Sequence, residues 1–118
     1  MMIYSAGFKA IIDACVLYAP SKRDYLLTLA QYGFYKPFWT QKINDEWINN
    51  RTENILKAKG VKIERVVFEK TVAQMNTAFP DANIENFESL ISSVKLPDEN
   101  DRHVVAAAIK EKVEVIIT

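Results

Sequence analysis

Four acidic side chains occupy positions from which they could act together. Asp98 and Asp101 lie three residues apart in front of the alanine-rich segment 104–109, Asp13 follows the apolar run 8–12, and Glu46 lies in a segment with helical spacing of apolar residues. Carboxylates in a small volume repel one another, so a cluster persists only around a positive charge. Hard oxygen ligands favour Mg²⁺ or Mn²⁺, and a carboxylate-held Mg²⁺ characteristically meets phosphate oxygens. The chemistry that matches such a cluster is phosphodiester hydrolysis.

Each acid also has an ordinary structural interpretation, which the sequence leaves open. Asp98 suits the N-cap of a helix and Asp101 its third position, where a carboxylate favours the positive end of the helix dipole. Asp13 suits the N-cap of the segment 14–19, and a lone Glu46 suits a solvated helix surface.

No competing catalytic set is visible. With one cysteine and one histidine a structural zinc site is excluded, and three glycines, Gly7, Gly33 and Gly60, are too few and too scattered for a phosphate-binding loop or a dinucleotide fingerprint. His103 is interpreted as a packed or hydrogen-bonded structural residue, and Cys15 as a small core residue without a base partner.

The composition is that of an ordinary globular domain. The 118 residues are 49% hydrophobic and 25% charged, and 15 Lys and Arg balance 15 Asp and Glu, so no global field attracts nucleic acid or membrane. The lone Cys15 fits a reducing compartment, residues 1–5 lack a signal-peptide pattern, and no apolar run is long enough for a bilayer. We expect a cytoplasmic protein of one domain without a membrane partner.

Residue patterns predict alternating strands and helices. The predicted strands are 8–12, 34–39, an apolar and central 113–118, and an edge strand within 80–87. The predicted helices are 24–32, 40–50 with Thr40 as N-cap, and a more polar helical region 51–79 that is broken at Gly60. Short helical turns are predicted in 88–94, and a last helix runs from the N-cap Asp98 to residue 112. Strand–helix alternation predicts an α/β fold with a parallel sheet and helices on both faces. In that fold the four acids converge on one edge of the sheet.

Three segments resemble the PIN-domain family, and together with the matching order of elements the resemblance covers essentially the whole chain. They are residues 11–17, 38–47 and 96–109; the last reads Leu-Pro-Asp-x-x-Asp-Arg-His-Val before an alanine-rich helix, as in the VapC-like bacterial branch. The resemblance implies a three-layer α/β/α sandwich with a mostly parallel central sheet. It also implies a Mg²⁺- or Mn²⁺-dependent ribonuclease of the kind found as the toxin of toxin–antitoxin pairs.

By position, Asp13, Glu46 and Asp101 resemble the three acids with which the family holds metal and catalyses, and Asp98 resembles an additional metal-side acid of this branch. Family members continue with Thr-Phe-Asn-x-x-Asp-Phe, a motif that begins at Thr118 here. We therefore expect residues 1–118 to form a single PIN-like domain that is truncated at its C-terminal end, with the Thr118 hydroxyl contributing to the site.

The implied reaction is hydrolysis of RNA that leaves a 5′-phosphate and a 3′-hydroxyl. Lys22, Arg23 and Arg102 are the candidates for RNA backbone contacts, and the implied partners are RNA, an antitoxin protein and a second copy of the chain. Two other functions remain as alternatives: a non-catalytic PIN-like binding module, and a phosphoacceptor receiver-like domain. The receiver pattern fits less well because Asp13 has no acidic neighbour in the sequence.

Overall fold

The computed structural model describes residues 7–118 and shows an α/β fold built on a parallel sheet. The prediction that residues 1–5 lack a signal-peptide pattern concerns residues outside this range. The strands are β1 (Phe8–Ile12), β2 (Tyr35–Phe38) and β3 (Val115–Ile117), in the order β2-β1-β3. In the register Ile11 pairs with Phe38 on one side and with Ile116 on the other, so β1 is paired along both edges. The predicted α/β class with a parallel sheet is confirmed.

Five α-helices and two 3₁₀ segments connect and cover the strands in the described range. They are α1 (Ala14–Leu17), α2 (Pro20–Gln31), α3 (Gln41–Lys59), α4 (Arg65–Ala78) and α5 (Arg102–Glu111), with 3₁₀ turns at Glu88–Ser93 and Glu99–Asp101. Within residues 7–118 no helix combines the length and the apolar character needed to cross a membrane.

Local signals set the bounds of α3. The Thr40 hydroxyl accepts a hydrogen bond from the backbone N–H of Ile43 at 3.0 Å, as expected of an N-cap. At the other end Gly60 adopts a left-handed conformation with φ of 65°, which glycine reaches without steric strain. Both the predicted cap and the predicted break are confirmed, and the helical segments predicted at 40–50 and at 51–59 form one continuous helix.

The core lies around β1 and the first half of α3. Its fully buried members include Ala10, Ile11, Ile12, Leu17, Trp39, Ile43, Trp47, Ala106 and Ala107. Burial on this scale is the main favourable contribution to folding. Because β1 is central and its last three residues are inaccessible, the residue that follows it is held at a fixed place at the carboxyl end of the sheet.

The final strand differs from the prediction. An apolar 113–118 was expected at the centre of the sheet, but β3 lies at an edge of the sheet formed by the described residues, with Val115 39% and Ile116 40% exposed. Ile109 on α5 is likewise 56% exposed although its segment was expected to be packed on nearly all sides. Apolar character marks a strand but does not choose between centre and edge, and β1, whose last three residues are buried, takes the centre.

Two other elements are shorter than predicted. The edge strand within 80–87 reduces to an isolated parallel bridge between Trp39 and Asn83. The last helix begins at Arg102 rather than after Asp98, because residues 99–101 form a 3₁₀ turn first. The consequence is that Asp98 and Asp101 stand at the N-cap positions of different elements.

The buried side chain of Tyr35 makes the stability of the fold depend on pH at alkaline values. Its side chain is buried, its hydroxyl donates to the Leu26 carbonyl at 2.8 Å, and burial raises the pKa of Tyr35 to about 12. Since the folded pKa lies above the unfolded value of about 10, the stabilisation is fully present below pH 10 and is lost as the pH rises through 12. We expect the free energy of unfolding, measured with urea, to fall by about 3 kcal/mol across this window. Tyr35→Phe should remove most of that fall; an equally steep fall in the variant would contradict this assignment.

Candidate functional site

The three predicted catalytic acids line one shallow depression of about 450 Å³. Asp13 comes from the end of β1, Glu46 from α3, and Asp101 from the start of α5. The remaining lining residues are Ala14, Cys15, Asn49, Asn50 and Asn100. The fold therefore brings together side chains that are up to 88 residues apart in the sequence (101 − 13).

Asp13 is held by two neighbours. One carboxylate oxygen, Oδ1, accepts from the Ala14 backbone N–H at 2.7 Å, which caps α1, and the other, Oδ2, accepts from the Thr118 hydroxyl at 3.3 Å. The capping interpretation of Asp13 is thus confirmed, and the same residue lines the depression. An ionised carboxylate has about four lone-pair positions, so both oxygens keep capacity for another ligand.

Thr118 and Cys15 extend the hydrogen-bonded group at Asp13. The Thr118 hydroxyl lies 3.6 Å from the Cys15 sulfur as well as within reach of Asp13. The expected contribution of Thr118 to the site is consistent with this position. Cys15, interpreted from sequence as a core residue, is exposed, and its sulfur lies on the rim of the depression.

Glu46 is oriented by the only histidine of the chain. Its Oε2 lies 3.1 Å from Nε2 of His103, and the histidine is 2% exposed while the glutamate is 35% exposed. The helix beneath is fixed by the buried Ile43 and Trp47, so Glu46 projects at the rim of the core as its sequence position suggests. Sequence reasoning correctly predicted a hydrogen-bonded His103 but missed its partner, because α5 and α3 are distant in the chain.

Asp101 and Asp98 have separate roles. The Asp98 side chain accepts from the backbone N–H of Asn100 at 2.9 Å, caps the 3₁₀ turn and does not line the depression. Asp101 stands at the N-cap of α5 without a side-chain capping bond and is exposed in the depression. Capping therefore accounts for Asp98, whose predicted metal role finds no support in its position, and it leaves Asp101 free.

The basic candidates lie outside the depression. Arg23 is 9% exposed, lies 4.9 Å over the Trp47 ring and donates to the Leu17 carbonyl at 2.8 Å. Burial lowers its pKa from the ordinary value. Arg102 donates to the Leu96 carbonyl at 3.2 Å, whereas Lys22 is exposed. The position of Arg23 makes it a core residue rather than a contact for RNA.

Residues 51–65 contain five basic side chains, which could form either a structured surface or a phosphate-binding patch, and two of them are paired within the protein. Arg51 donates to the Tyr18 carbonyl at 3.1 Å, and Arg65 pairs with Asp45 at 3.1 Å and with Glu69 at 3.5 Å. These contacts favour the interpretation as a structured surface over a phosphate-binding patch.

Three amides that the sequence did not single out border the acids. Asn49, Asn50 and Asn100 line the depression with exposed side chains. A signal was available for the first two: they follow Glu46 at i+3 and i+4 on the same helix, a spacing that places side chains on one face. Amide nitrogens donate hydrogen bonds, and such donors commonly contact phosphate oxygens.

The donor set fits a hard divalent cation by its chemistry. Its charged members are three carboxylates, and in the part of the chain that the structure describes neither Lys nor Arg lines the depression to neutralise them. Among the described residues, no group of three His, Cys, Asp or Glu side chains is already close enough to hold a metal ion. Of the three acids, Asp101 is the one with no side-chain hydrogen bond among residues 7–118, so its carboxylate is the least constrained of the three.

Comparisons with protein-family models, with curated proteins and with solved structures found no match. The resemblance to the PIN-domain family therefore stays a prediction, and the residues that line the depression carry the functional assignment.

Proposed function

We propose that this chain is a divalent-cation-dependent ribonuclease that hydrolyses RNA phosphodiester bonds. The observation that carries the proposal is the meeting of Asp13, Glu46 and Asp101 in one depression at the carboxyl end of the parallel sheet. Among the described residues no Lys or Arg lines the depression, so a bound cation would supply the counter-charge that these side chains lack.

The proposal includes a PIN-like architecture, that is, a three-layer α/β/α sandwich. Support comes from the parallel β2-β1-β3 sheet and from the α2 residue Leu26, whose carbonyl accepts the β2 hydroxyl of Tyr35. Further support comes from the place of Asp13, which follows the central strand directly, where open α/β sheets put their chemistry.

Asp13, Glu46 and Asp101 would hold a Mg²⁺ or Mn²⁺ ion. When bound, such an ion supplies activation of a water molecule and neutralisation of charge on the scissile phosphate. The side chains around it orient and bind: Thr118 fixes one oxygen of Asp13, and His103 fixes one oxygen of Glu46. The amides of the three asparagines donate hydrogen bonds to phosphate oxygens of the RNA backbone.

RNA is the proposed substrate, and the proposed setting is the cytoplasm, where the chain acts as the toxin-type component of a toxin–antitoxin pair. An antitoxin protein and a second copy of the chain are the proposed protein partners. Lys22, which is exposed, stays a candidate for a contact to the RNA backbone. Arg102 also stays a candidate, although its guanidinium already donates a hydrogen bond to the Leu96 carbonyl. Arg23 is withdrawn from this set because it is buried.

A non-catalytic PIN-like binding module is the second candidate. The observation that favours it is the lack, among the described residues, of three ligating side chains already close enough to hold an ion. A module of this kind keeps the fold and presents the same depression without turning over RNA.

Titration with Mn²⁺ separates the two candidates. A cation that binds only the folded chain stabilises it by about 2.7 kcal/mol at a hundred times its Kd, which corresponds to a rise in Tm of roughly 10 °C for a domain of this size. We expect this rise together with cleavage of single-stranded RNA that stops in excess EDTA. Cleavage that survives EDTA would contradict the cation-dependent mechanism, and an unchanged Tm without cleavage would favour the binding module.

A further inference from the structure

We infer that His103 is a positioning residue that makes Glu46 a one-oxygen ligand in the depression. This inference rests on the proposed function, since it concerns how the same site prepares itself for a cation. The observation behind it is a buried histidine, 2% exposed, whose Nε2 lies 3.1 Å from Glu46 Oε2.

The surroundings of the imidazole select its tautomer. Nδ1 of His103 is buried and has no hydrogen-bond partner among residues 7–118. With the hydrogen on Nε2, only a lone pair is left unpaired at Nδ1 and the N–H donates to the carboxylate. The other tautomer would bury an unpaired N–H and place two lone pairs against each other, which is the less favourable arrangement.

The donated hydrogen bond divides the two oxygens of Glu46 between two tasks. Oε2 is held by His103, which fixes the rotation of the carboxylate, while no hydrogen bond from the described residues reaches Oε1. Glu46 itself lines the depression, so the free oxygen is the one available to a cation. Partners of ligating carboxylates commonly act in this way, and their loss weakens metal binding about 10–100-fold.

Immobilising the carboxylate before the cation arrives lowers the entropy lost on binding. Asp13 is prepared similarly by Ala14 and Thr118, whereas Asp101 has no such partner among residues 7–118. The site therefore consists of two preset ligands and one mobile ligand, and His103 is responsible for one of the preset ones.

The test compares His103→Phe, which keeps a ring but has no donor, with His103→Gln, whose side-chain amide nitrogen can reach the position of Nε2. In titrations of the folded variants with Mn²⁺, we expect His103→Phe to raise the Kd about 10–100-fold. His103→Gln should stay within about threefold of the natural chain, because it restores the donor. A residue that merely fills space would show no such rescue.

Nuclear magnetic resonance of the cation-free natural chain supplies an independent measurement. Long-range correlations between ring hydrogens and nitrogens report which nitrogen carries the hydrogen, and we expect Nε2. Hydrogen found on Nδ1, unchanged Mn²⁺ affinity in His103→Phe, or equal losses in both variants would overturn the inference. Failure of the proposed function looks different: the natural chain would then bind no Mn²⁺, while the spectrum would still show hydrogen on Nε2.

Discussion

Asp101→Asn is expected to lower Mn²⁺-dependent RNA cleavage at least about a hundredfold and to remove the rise in Tm that Mn²⁺ produces. Loss of an outer partner of a ligand already weakens metal binding or activity 10–100-fold, so loss of a ligand's charge should weaken it at least as much. Initial cleavage rates at saturating Mn²⁺, with melting curves in parallel, measure both effects.

The position of Asp101 indicates that this substitution changes the stability of the fold very little. Asp101 is exposed and makes no capping bond with its side chain, so its charge contributes to stability through the dipole of α5 and, with the opposite sign, through repulsion by the other two acids. The contribution of the dipole is about 0.3–1 kcal/mol, and asparagine is accepted at an N-cap as readily as aspartate. A lost activity in a chain whose cation-free Tm is almost unchanged would therefore report on the site and not on unfolding.

Asp98→Asn is the matched control. It makes the same chemical change three residues earlier, at a carboxylate that caps a 3₁₀ turn and does not line the depression. We expect its cleavage rate to stay within about threefold of the natural chain, since asparagine retains the capping oxygen. Equal losses in the two variants would contradict the separation of roles and return Asp98 to the metal site.

Trp47→Ala should destabilise the fold by about 3–5 kcal/mol, the range for removing a large buried side chain. Trp47 is completely buried, its Nε1 donates to Asn44 Oδ1 at 2.8 Å, and Arg23 lies over its ring. Its ring also meets Phe68 edge-on with centroids 5.9 Å apart. Urea unfolding measures the change as a lower midpoint with a similar slope.

The same substitution should disturb the site, because Trp47 anchors the turn of α3 that carries Glu46. With a total stability of roughly 5–15 kcal/mol, a loss of this size leaves a marginal fold. Tyr32→Ala is the control: its side chain is 77% exposed, and we expect a change within about 0.5 kcal/mol. A loss below about 1 kcal/mol for Trp47→Ala would contradict the placement of that ring in the core.

Local sequence patterns predicted the secondary-structure elements better than they predicted which elements pack beside one another. The cap at Thr40, the break at Gly60 and the strand before Asp13 are properties of a few consecutive residues, and each is present in the structure. The same patterns misplaced β3, because an apolar run shows that a strand is packed without showing which strands lie beside it. The same patterns also placed Asp98 and Asp101 in one helix, because the 3₁₀ turn between them has no distinct sequence signal.

The sequence by itself determined which reactive side chains are present: acids at the ends of predicted elements, one histidine and one cysteine, with too few glycines for a phosphate loop. Only the tertiary structure decided which acids meet. It joined Asp13, Glu46 and Asp101 in one depression, left Asp98 outside it, buried Arg23 against the ring of Trp47, and placed His103 against Glu46. The physical reason is that side-chain encounters between distant segments depend on how helices pack against a sheet, and packing is set by the summed burial of the whole core rather than by any local pattern.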